Sequence, residues 1–282
     1  MKKKLVAGTM RWGTWGAQMT TEQYGHAISK WIECGVSEFD LANIYGDYSC
    51  EREFGEALKQ SQISRSSVTL ISKMGIEIPF LVRGNSVKHY NYSKENIVSC
   101  VEQSLRSLQT DYLDVLLLHR PSPLLDAIEV SEAISNLISS GKIRSFGVSN
   151  FLPEQVILLH KQIKVEHNQI SFSLADFRSM ENGYLEAFAS LQLNVSAYST
   201  VLNAVSGSDK LRRTLQVISE KHNVSAAAIC VAWVLNHPLV SSAVIGTAKR
   251  ERISEIRKAL EVELDIQDYF MLWEAARGEQ VP

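Results

Sequence analysis

Residues 112–119 read YLDVLLLH, and Val115 to Leu118 are four consecutive aliphatic residues. A strand with one face in water alternates apolar and polar residues, whereas a continuously apolar strand is covered on both faces. Strands of the second kind occur in parallel sheets, where helices pack against both faces. This stretch therefore predicts an α/β protein built on a parallel sheet.

Short apolar runs of the same kind recur along the chain, and helical patterns fill the gaps between them. The strand candidates are residues 5–9, 37–42, 68–73, 112–119, 143–149, 167–173, 194–199 and 241–247. Eight strands that alternate with helices predict a (β/α)8 barrel, for which about 250 residues is typical. An open doubly wound sheet is the alternative, but no GxGxxG motif follows the first strand. We expect one domain over residues 1–282.

Apolar stripes at helical spacing support this order of elements. They comprise Ile97, Val101, Leu105 and Leu108; then Val130, Ile134, Leu137 and Ile138; and then Ile253, Ile256 and Leu260. Ser93 is a predicted N-cap of the first helix, and Gly141 is a predicted C-terminal stop of the second. A last amphipathic segment covers residues 266–277 and has no strand after it.

The composition excludes several kinds of protein. With 45% hydrophobic and 21% charged residues, the chain can build a full core and remain soluble. A formal net charge of -2 gives no general attraction to nucleic acid or to an anionic membrane, so we expect neither as a partner. No run approaches the roughly 18 apolar residues that cross a bilayer.

The ends and the cysteines favour a cytoplasmic protein. The basic start MKKKLVAGTMRWG has only a short apolar segment before Arg11, too short for a signal peptide. The four cysteines, at positions 34, 50, 100 and 230, form no CxxC pair. This pattern favours reduced thiols, with neither a disulfide framework nor a metal site.

Polar residues lie at three neighbouring predicted strand ends. Asp40 ends the second strand and Tyr45 follows in the loop, while Lys73 and His119 end the third and fourth. In a (β/α)8 barrel the chemistry lies in the loops at these carboxyl ends. Each residue alone has a simple structural explanation, such as a capped turn, packing or a solvated lysine. Together, the four would converge on one region of the barrel.

The chemistry of the four groups is complementary. A phenol, whose reference pKa is near 10, is a poor proton donor at neutral pH. A lysine ammonium within about 4–6 Å stabilises the phenolate and lowers that pKa. A carboxylate paired with the lysine keeps it charged, and a neutral imidazole can orient a carbonyl oxygen. The set therefore predicts a proton donor for a carbonyl group that receives a hydride.

These motifs resemble those of the aldo-keto reductases, and most of all the shorter bacterial members. The matching segments are FDLANIYG (39–46), ISKMG (71–75), YLDVLLLHRP (112–121), GKIRSFGVSNF (141–151) and VIGTAKRERISEI (244–256). The motifs come in the family's order, and the resemblance runs from about Leu5 to the final helix, which is nearly the whole chain. The resemblance implies a catalytic tetrad of Asp40, Tyr45, Lys73 and His119, in which Tyr45 is the general acid.

The resemblance also implies an NADPH site without a Rossmann fold. Its nicotinamide end would comprise Ser149, Asn150, Gln169, Tyr198 and Ser199, and its phosphate end Gly246, Thr247, Lys249, Arg252 and Glu255. Basic side chains beside a helix N-terminus favour an anion, although a solvated basic turn has the same pattern. Thr247 and Arg252 favour NADPH over NADH.

Two segments depart from the family pattern. Ile256 stands where many relatives have an asparagine near the adenine, which leaves Glu255 as the polar candidate there. Residues 200–210 read TVLNAVSGSDK where many relatives continue with Pro-Leu-Gly, so no cofactor contacts are assigned to residues 201–207. We expect faster cofactor release than in relatives with a longer covering loop.

The aromatic residues outside these motifs bear on the substrate, and alternative functions stay open. The long connection 75–92, with Trp12 and Trp15, is a candidate substrate wall that suits apolar or aromatic aldehydes and ketones. The expected partner is a small carbonyl compound, and the expected assembly is a monomer or a weak homo-oligomer. Two alternatives stay open: an NADPH-binding regulatory or partner protein with slow turnover, and an isomerase or aldolase with Lys73 as a Schiff base.

Overall fold

All eight predicted strands form in the computed structural model, which describes residues 3–79, 84–201 and 204–282. Residues 80–83 of the 75–92 connection and residues 202–203 of the divergent segment lie outside the described residues. The strands are β1 (Lys4–Gly8), β2 (Glu38–Asp40), β3 (Thr69–Met74), β4 (Ile76–Glu77), β5 (His89–Tyr90), β6 (Leu113–Leu118), β7 (Ile143–Ser149), β8 (His167–Ser171), β9 (Asn194–Tyr198) and β10 (Ser242–Ile245).

The strand order is that of a (β/α)8 barrel. Eight strands close one sheet in the order β1, β10, β9, β8, β7, β6, β3 and β2. The neighbours β1–β2, β2–β3, β3–β6, β6–β7 and β9–β10 pair in parallel. The remaining strands, β4 and β5, form a separate antiparallel hairpin within the 75–92 connection. The prediction of a (β/α)8 barrel is therefore confirmed.

Helices follow the barrel strands. They are α1 (Thr21–Glu33), α2 (Tyr45–Tyr48), α3 (Cys50–Gln60), α4 (Lys94–Leu108), α5 (Ala127–Ser139), α6 (Pro153–His160), α7 (Arg178–Glu181), α8 (Tyr184–Ser190), α9 (Asp209–His222), α10 (Ala226–Asn236), α11 (Arg250–Arg257) and α12 (Ile266–Arg277). Ser93 caps α4 by accepting a hydrogen bond from Asn96 N, as predicted. Gly141 follows α5 with φ +72°, a conformation that favours glycine. In the described part of the chain, no helix combines the length and hydropathy needed to cross a membrane.

Two residues of the predicted stripes are exposed instead of buried. Ile138 is 40% exposed, because it follows Leu137 directly and is therefore turned about 100° away from the buried stripe. Leu260 is 38% exposed, because α11 ends at Arg257 and a 3-10 turn, Lys258–Glu261, follows. The tighter turn buries Ala259 in place of Leu260.

The chain packs as two compact units, Ala7–Asn168 and Met1–Val6 with Gln169–Pro282. The first unit contains the predicted tetrad, and aromatic side chains such as Phe39 and Phe54 fill its core. The second unit contains the predicted phosphate end of the cofactor site. In its core, the ring of Trp233 stacks on both Phe172 and Tyr269. That residues 1–282 form a single domain remains a prediction.

Candidate active site

The four predicted catalytic residues lie together in the first unit, around the ammonium group of Lys73. Lys73 Nζ is 2.7 Å from each carboxylate oxygen of Asp40 and 3.0 Å from the hydroxyl oxygen of Tyr45. It also donates to the carbonyl oxygen of Leu41 at 2.8 Å. An ammonium has three protons, so the acceptors of these three residues use all of them.

Strand register explains how Asp40 and Lys73 meet. Asp40, the last residue of β2, is paired with Ile71 of β3, two residues before Lys73. Because side chains alternate along a strand, Ile71 and Lys73 point to the same face of β3. Beyond Asp40, the chain stays bonded to β3, since Leu41 N donates to the Ile71 carbonyl and Asn43 N to the Lys73 carbonyl. These bonds hold the loop that carries Tyr45.

Lys73 is buried, with 1% of its surface exposed, and yet it remains charged. Burial alone would lower the pKa of its ammonium, but the charges and hydrogen bonds of Asp40 and Tyr45 outweigh burial and raise the pKa above its ordinary value. The group is therefore a fixed positive charge whose hydrogen bond to the Tyr45 hydroxyl favours the phenolate.

His119 supplies a neutral imidazole beside the phenol. It follows β6, and its backbone N donates to the Met74 carbonyl at 2.9 Å. Its ring centroid is 5.8 Å from that of Tyr45. Burial, and then the positive charge of Lys73, hold the pKa of His119 well below its ordinary value. Within the described residues, His119 Nδ1 has no hydrogen-bond partner. This buried ring therefore remains able to form a hydrogen bond with a ligand.

A buried carboxylate that the sequence did not single out lies on the outer side of β3. Glu51, in the first turn of α3, is 4% exposed and accepts a hydrogen bond from Ser72 Oγ at 2.5 Å. Burial raises the pKa of Glu51 to about 7, although hydrogen bonds from Ser72 and Ser104 and the charge of Lys73 oppose this shift. Glu51 therefore changes charge near neutral pH.

Glu51 should make the stability of the protein fall as the pH rises from about 4.5 to about 7. The unfolded chain releases this proton near pH 4.5 and the folded chain near pH 7, so the folded state binds more protons between those values. Glu51→Gln cannot ionise and should lack this loss, which amounts to roughly 3 kcal/mol at most. Denaturant unfolding at acidic and at alkaline pH measures it. Glu56→Gln on the same helix is the control, because hydrogen bonds from Gln60 and Gln109 lower the pKa of Glu56.

The residues of the first unit that were predicted to bind nicotinamide lie at the end of β7. Ser149 is buried, and Asn150 donates from Nδ2 to Ser149 Oγ at 2.8 Å, with φ +64°. Sequence reasoning missed a third residue, Asn168, whose Nδ2 donates to the Phe151 carbonyl at 3.0 Å. Asn168 thus fixes the chain just after Asn150. The available signal was the run of polar residues His167, Asn168 and Gln169 at the start of the predicted strand 167–173.

The other proposed cofactor residues lie in the second unit. Gln169 is buried within β8, Tyr198 is the last residue of β9, and Ser199 follows with φ +58°. Gly246 and Thr247 follow β10, and Thr247 Oγ1 accepts a hydrogen bond from Lys249 N at 3.3 Å.

The basic residues at the start of α11 are exposed. Within the described residues, neither Lys249 nor Arg252 takes part in an ion pair, so both could bind an anion. Glu255, the predicted polar contact for the adenine, pairs with Lys258 at 2.8 Å. Ile256 is buried under the helix and serves the core.

Trp12 and Trp15, the two tryptophans after β1 that were predicted to form the substrate wall, differ in burial. Trp12 is completely buried and packs against Tyr24 and Phe54, so its assignment to the substrate wall was wrong. Trp15 is half-buried, and its ring centroid is 6.1 Å from that of Tyr45. Only the second tryptophan therefore lies beside the tetrad.

In the 75–92 connection, Tyr92 is a structural residue, whereas Tyr90 and Ile78 lie near Tyr45. Tyr92 is buried, donates its hydroxyl proton to the Arg120 carbonyl and accepts a hydrogen bond from Arg120 N. It packs so closely on Gly75 that a Cβ there would lie 1.9 Å from the ring, so Tyr92 is a structural residue. Tyr90 and Ile78 are half-buried and pack on the cluster that contains Tyr45.

Comparison with known proteins agrees with this fold. The sequence profile described as "Aldo/keto reductase family" matches residues 4–277. Oxidoreductase YdhF of Escherichia coli is 36% identical over 286 residues, covering 99% of this chain and 95% of its own. A 6-dehydroglucose reductase of Agrobacterium fabrum is 34% identical over 292 residues, covering 100% and 98%.

A solved structure extends the comparison to three dimensions. The aldo-keto reductase of Klebsiella pneumoniae in complex with NADPH has a TM-score of 0.81 and 25% identity, covering 100% of this chain and 96% of its own. With a family profile over almost the full length and relatives above 30% identity, the chain belongs to the aldo/keto reductase family. It is thus a member of a family of oxidoreductases.

Proposed function

We propose that the protein reduces aldehydes and ketones to alcohols with NADPH, and that Tyr45 is the general acid. The observation that carries this proposal is the 3.0 Å hydrogen bond from the buried Lys73 ammonium to the Tyr45 hydroxyl. A phenol in this contact can release its proton to a nearby oxygen, because the remaining phenolate is stabilised by a fixed positive charge.

Each of the other tetrad residues has a separate task. Asp40 keeps Lys73 charged and holds it by contacts to both of its carboxylate oxygens. Neutral His119 donates a hydrogen bond to the carbonyl oxygen and orients it toward Tyr45. As the carbonyl oxygen gains negative charge, Tyr45 transfers its proton to it, and Lys73 stabilises the resulting phenolate.

The residues present fit a nicotinamide cofactor by their chemistry. In the first unit, Ser149 and Asn150 offer one hydroxyl and one amide, which match the donors and acceptors of a carboxamide. Lys249 and Arg252, which form no ion pair within the described residues, offer positive charge for a 2′-phosphate, and the Klebsiella pneumoniae structure contains NADPH. When bound, the cofactor supplies the hydride.

The same geometry weakens the aldolase alternative. A lysine forms a Schiff base only as the neutral amine, whose pKa is lowered by burial or by neighbouring positive charge. In Lys73 the pKa is raised, and all three protons are engaged by protein acceptors. Borohydride trapping of a carbonyl compound on Lys73 would contradict this assignment.

The experiment is to mix the protein with NADPH and a panel of aldehydes and to follow the loss of NADPH absorbance. The panel should contain aromatic and aliphatic aldehydes and 6-dehydroglucose, because the Agrobacterium fabrum relative is a 6-dehydroglucose reductase. We expect turnover with at least one of them. Tight NADPH binding without turnover on the whole panel would instead favour the alternative, a regulatory NADPH-binding partner protein.

Arg252→Ala should weaken NADPH more than NADH. If Arg252 binds the 2′-phosphate, its loss removes a charge-assisted hydrogen bond that NADH never forms, so KM for NADPH should rise about tenfold or more. KM for NADH should change by less than about twofold. Arg257→Ala is the matched control on the same helix, because Arg257 pairs with Glu261. Equal changes for both cofactors would contradict the assignment.

A further inference from the structure

The short segment α2, Tyr45–Tyr48, is not a regular helix but part of the loop that carries Tyr45, because its last three residues have positive φ angles. The φ angles are 58° at Gly46, 53° at Asp47 and 68° at Tyr48. Glycine adopts this region freely, but a residue with a Cβ is disfavoured there. A strained run of this kind persists only where its surroundings hold it in place. The contacts of Asp47 therefore have a purpose beyond solvation.

The Asp47 carboxylate fastens this loop to the loop after β1. Trp15 Nε1 donates to Oδ1 at 2.9 Å, and Thr14 Oγ1 donates to Oδ2 at 2.8 Å. Both oxygens of the side chain are thus engaged, each by a neighbouring residue of the same loop. Hydrogen bonds to a charged acceptor are stronger than those between neutral groups.

The same two loops also touch through their backbones. A Cβ built on Gly13 would lie 3.2 Å from Gly46 Cα and 2.6 Å from Cys50 Sγ, so Gly13 cannot carry a side chain without a shift. The two loops therefore approach closely at Gly13 and Gly46, and the Asp47 carboxylate holds the indole of Trp15 through its only polar atom. The orientation of the ring is fixed, and part of its carbon surface remains exposed.

We propose that Asp47 is a positioning residue that holds Trp15 as a wall for the substituent of the substrate carbonyl. This inference rests on the proposed function, because it places the carbonyl at Tyr45, 6.1 Å from Trp15 between ring centroids. The wall suits a ring substituent, which can lie against the indole. A short aliphatic chain is too small to depend on it. Asp47 itself touches neither the substrate nor the reacting atoms.

The test compares benzaldehyde with propanal, each with NADPH, in the wild type and in Asp47→Gly. Glycine removes the carboxylate and relieves the left-handed strain, so the loop keeps its backbone. KM for benzaldehyde should rise about fivefold, the factor expected from one lost hydrogen bond, whereas KM for propanal and both kcat values should change by less than twofold. Asp47→Asn keeps an acceptor for Trp15 Nε1 and tolerates φ > 0, so it should restore most of the benzaldehyde affinity.

Trp15→Phe provides the second arm. It keeps a ring but removes the indole N–H, so KM for benzaldehyde should rise as in Asp47→Gly. The double variant should be no worse than either single one, because both remove the same contact. Equal KM changes for benzaldehyde and propanal in Asp47→Gly, or additive effects in the double variant, would overturn the inference and leave the proposed function intact. No turnover of benzaldehyde by the wild type would overturn the inference alone, whereas no turnover of any aldehyde of the panel would overturn the proposed function as well.

Discussion

Tyr45→Phe should lower kcat for aldehyde reduction by about 10²–10⁴, which is the contribution expected of a positioned general acid. The variant loses only the hydroxyl group, and its ring can still pack against Trp15 and His119. The binding of substrate and cofactor should therefore change little. The measurement is steady-state NADPH oxidation at saturating aldehyde, with single-turnover kinetics to separate chemistry from product release.

The control for this prediction is a titration of NADPH binding by fluorescence. Phe at position 45 removes one acceptor from the Lys73 ammonium, so a modest loss of stability is expected. Unchanged NADPH affinity with strongly reduced kcat would place the defect in proton transfer. If Tyr45→Phe turned over as fast as the wild type, another group would have to protonate the carbonyl, and the central role given to Tyr45 would be wrong.

Lys73→Met should destabilise the protein by about 3–5 kcal/mol and abolish most of its activity. The variant leaves Asp40 buried with no opposite charge, and removing one partner of a buried ion pair is among the most destabilising substitutions. Asp40 is 3% exposed and cannot recover its hydration without local unfolding. Denaturant unfolding measures the stability, and Lys161→Met at an exposed position is the control for the change of residue type.

The double variant Asp40→Asn with Lys73→Met separates the two contributions of the pair. It replaces two buried charges by neutral groups, so most of the lost stability should return. Turnover should stay low, because the Tyr45 phenolate still lacks a positive charge beside it. Recovery of activity together with stability would show that Lys73 has only a structural role.

Much of the fold could be predicted from the sequence, because continuously apolar runs and helical stripes both repeat in a simple order. The predicted ranges 143–149 and 266–277 are the ranges of β7 and α12. The tetrad was also predictable, since a barrel brings neighbouring strand ends together. The errors were local. Ile138 is turned away from the buried face of α5, and Leu260 lies in the 3-10 turn that follows the end of α11.

The rest of the site depends on tertiary placement that no local pattern contains. Trp12 and Trp15 are three residues apart in one loop, and only the folded chain buries the first and leaves the second beside Tyr45. Glu51 has the sequence context of an ordinary surface glutamate on a helix, but Ser72 of β3 lies against it. Asp47 gains its role from a left-handed backbone conformation.

The contact between the Lys73 ammonium and the Leu41 carbonyl has a consequence for the evolution of this protein. A main-chain oxygen is present whatever side chain occupies position 41, so one of the three anchors of the ammonium cannot be lost by substitution there. Trp15 and Tyr90, in contrast, lie near Tyr45 through their side chains, which a substitution would remove. If the proposed function holds, substitutions at such side chains would change the choice of carbonyl substrate and leave this main-chain anchor of Lys73 in place.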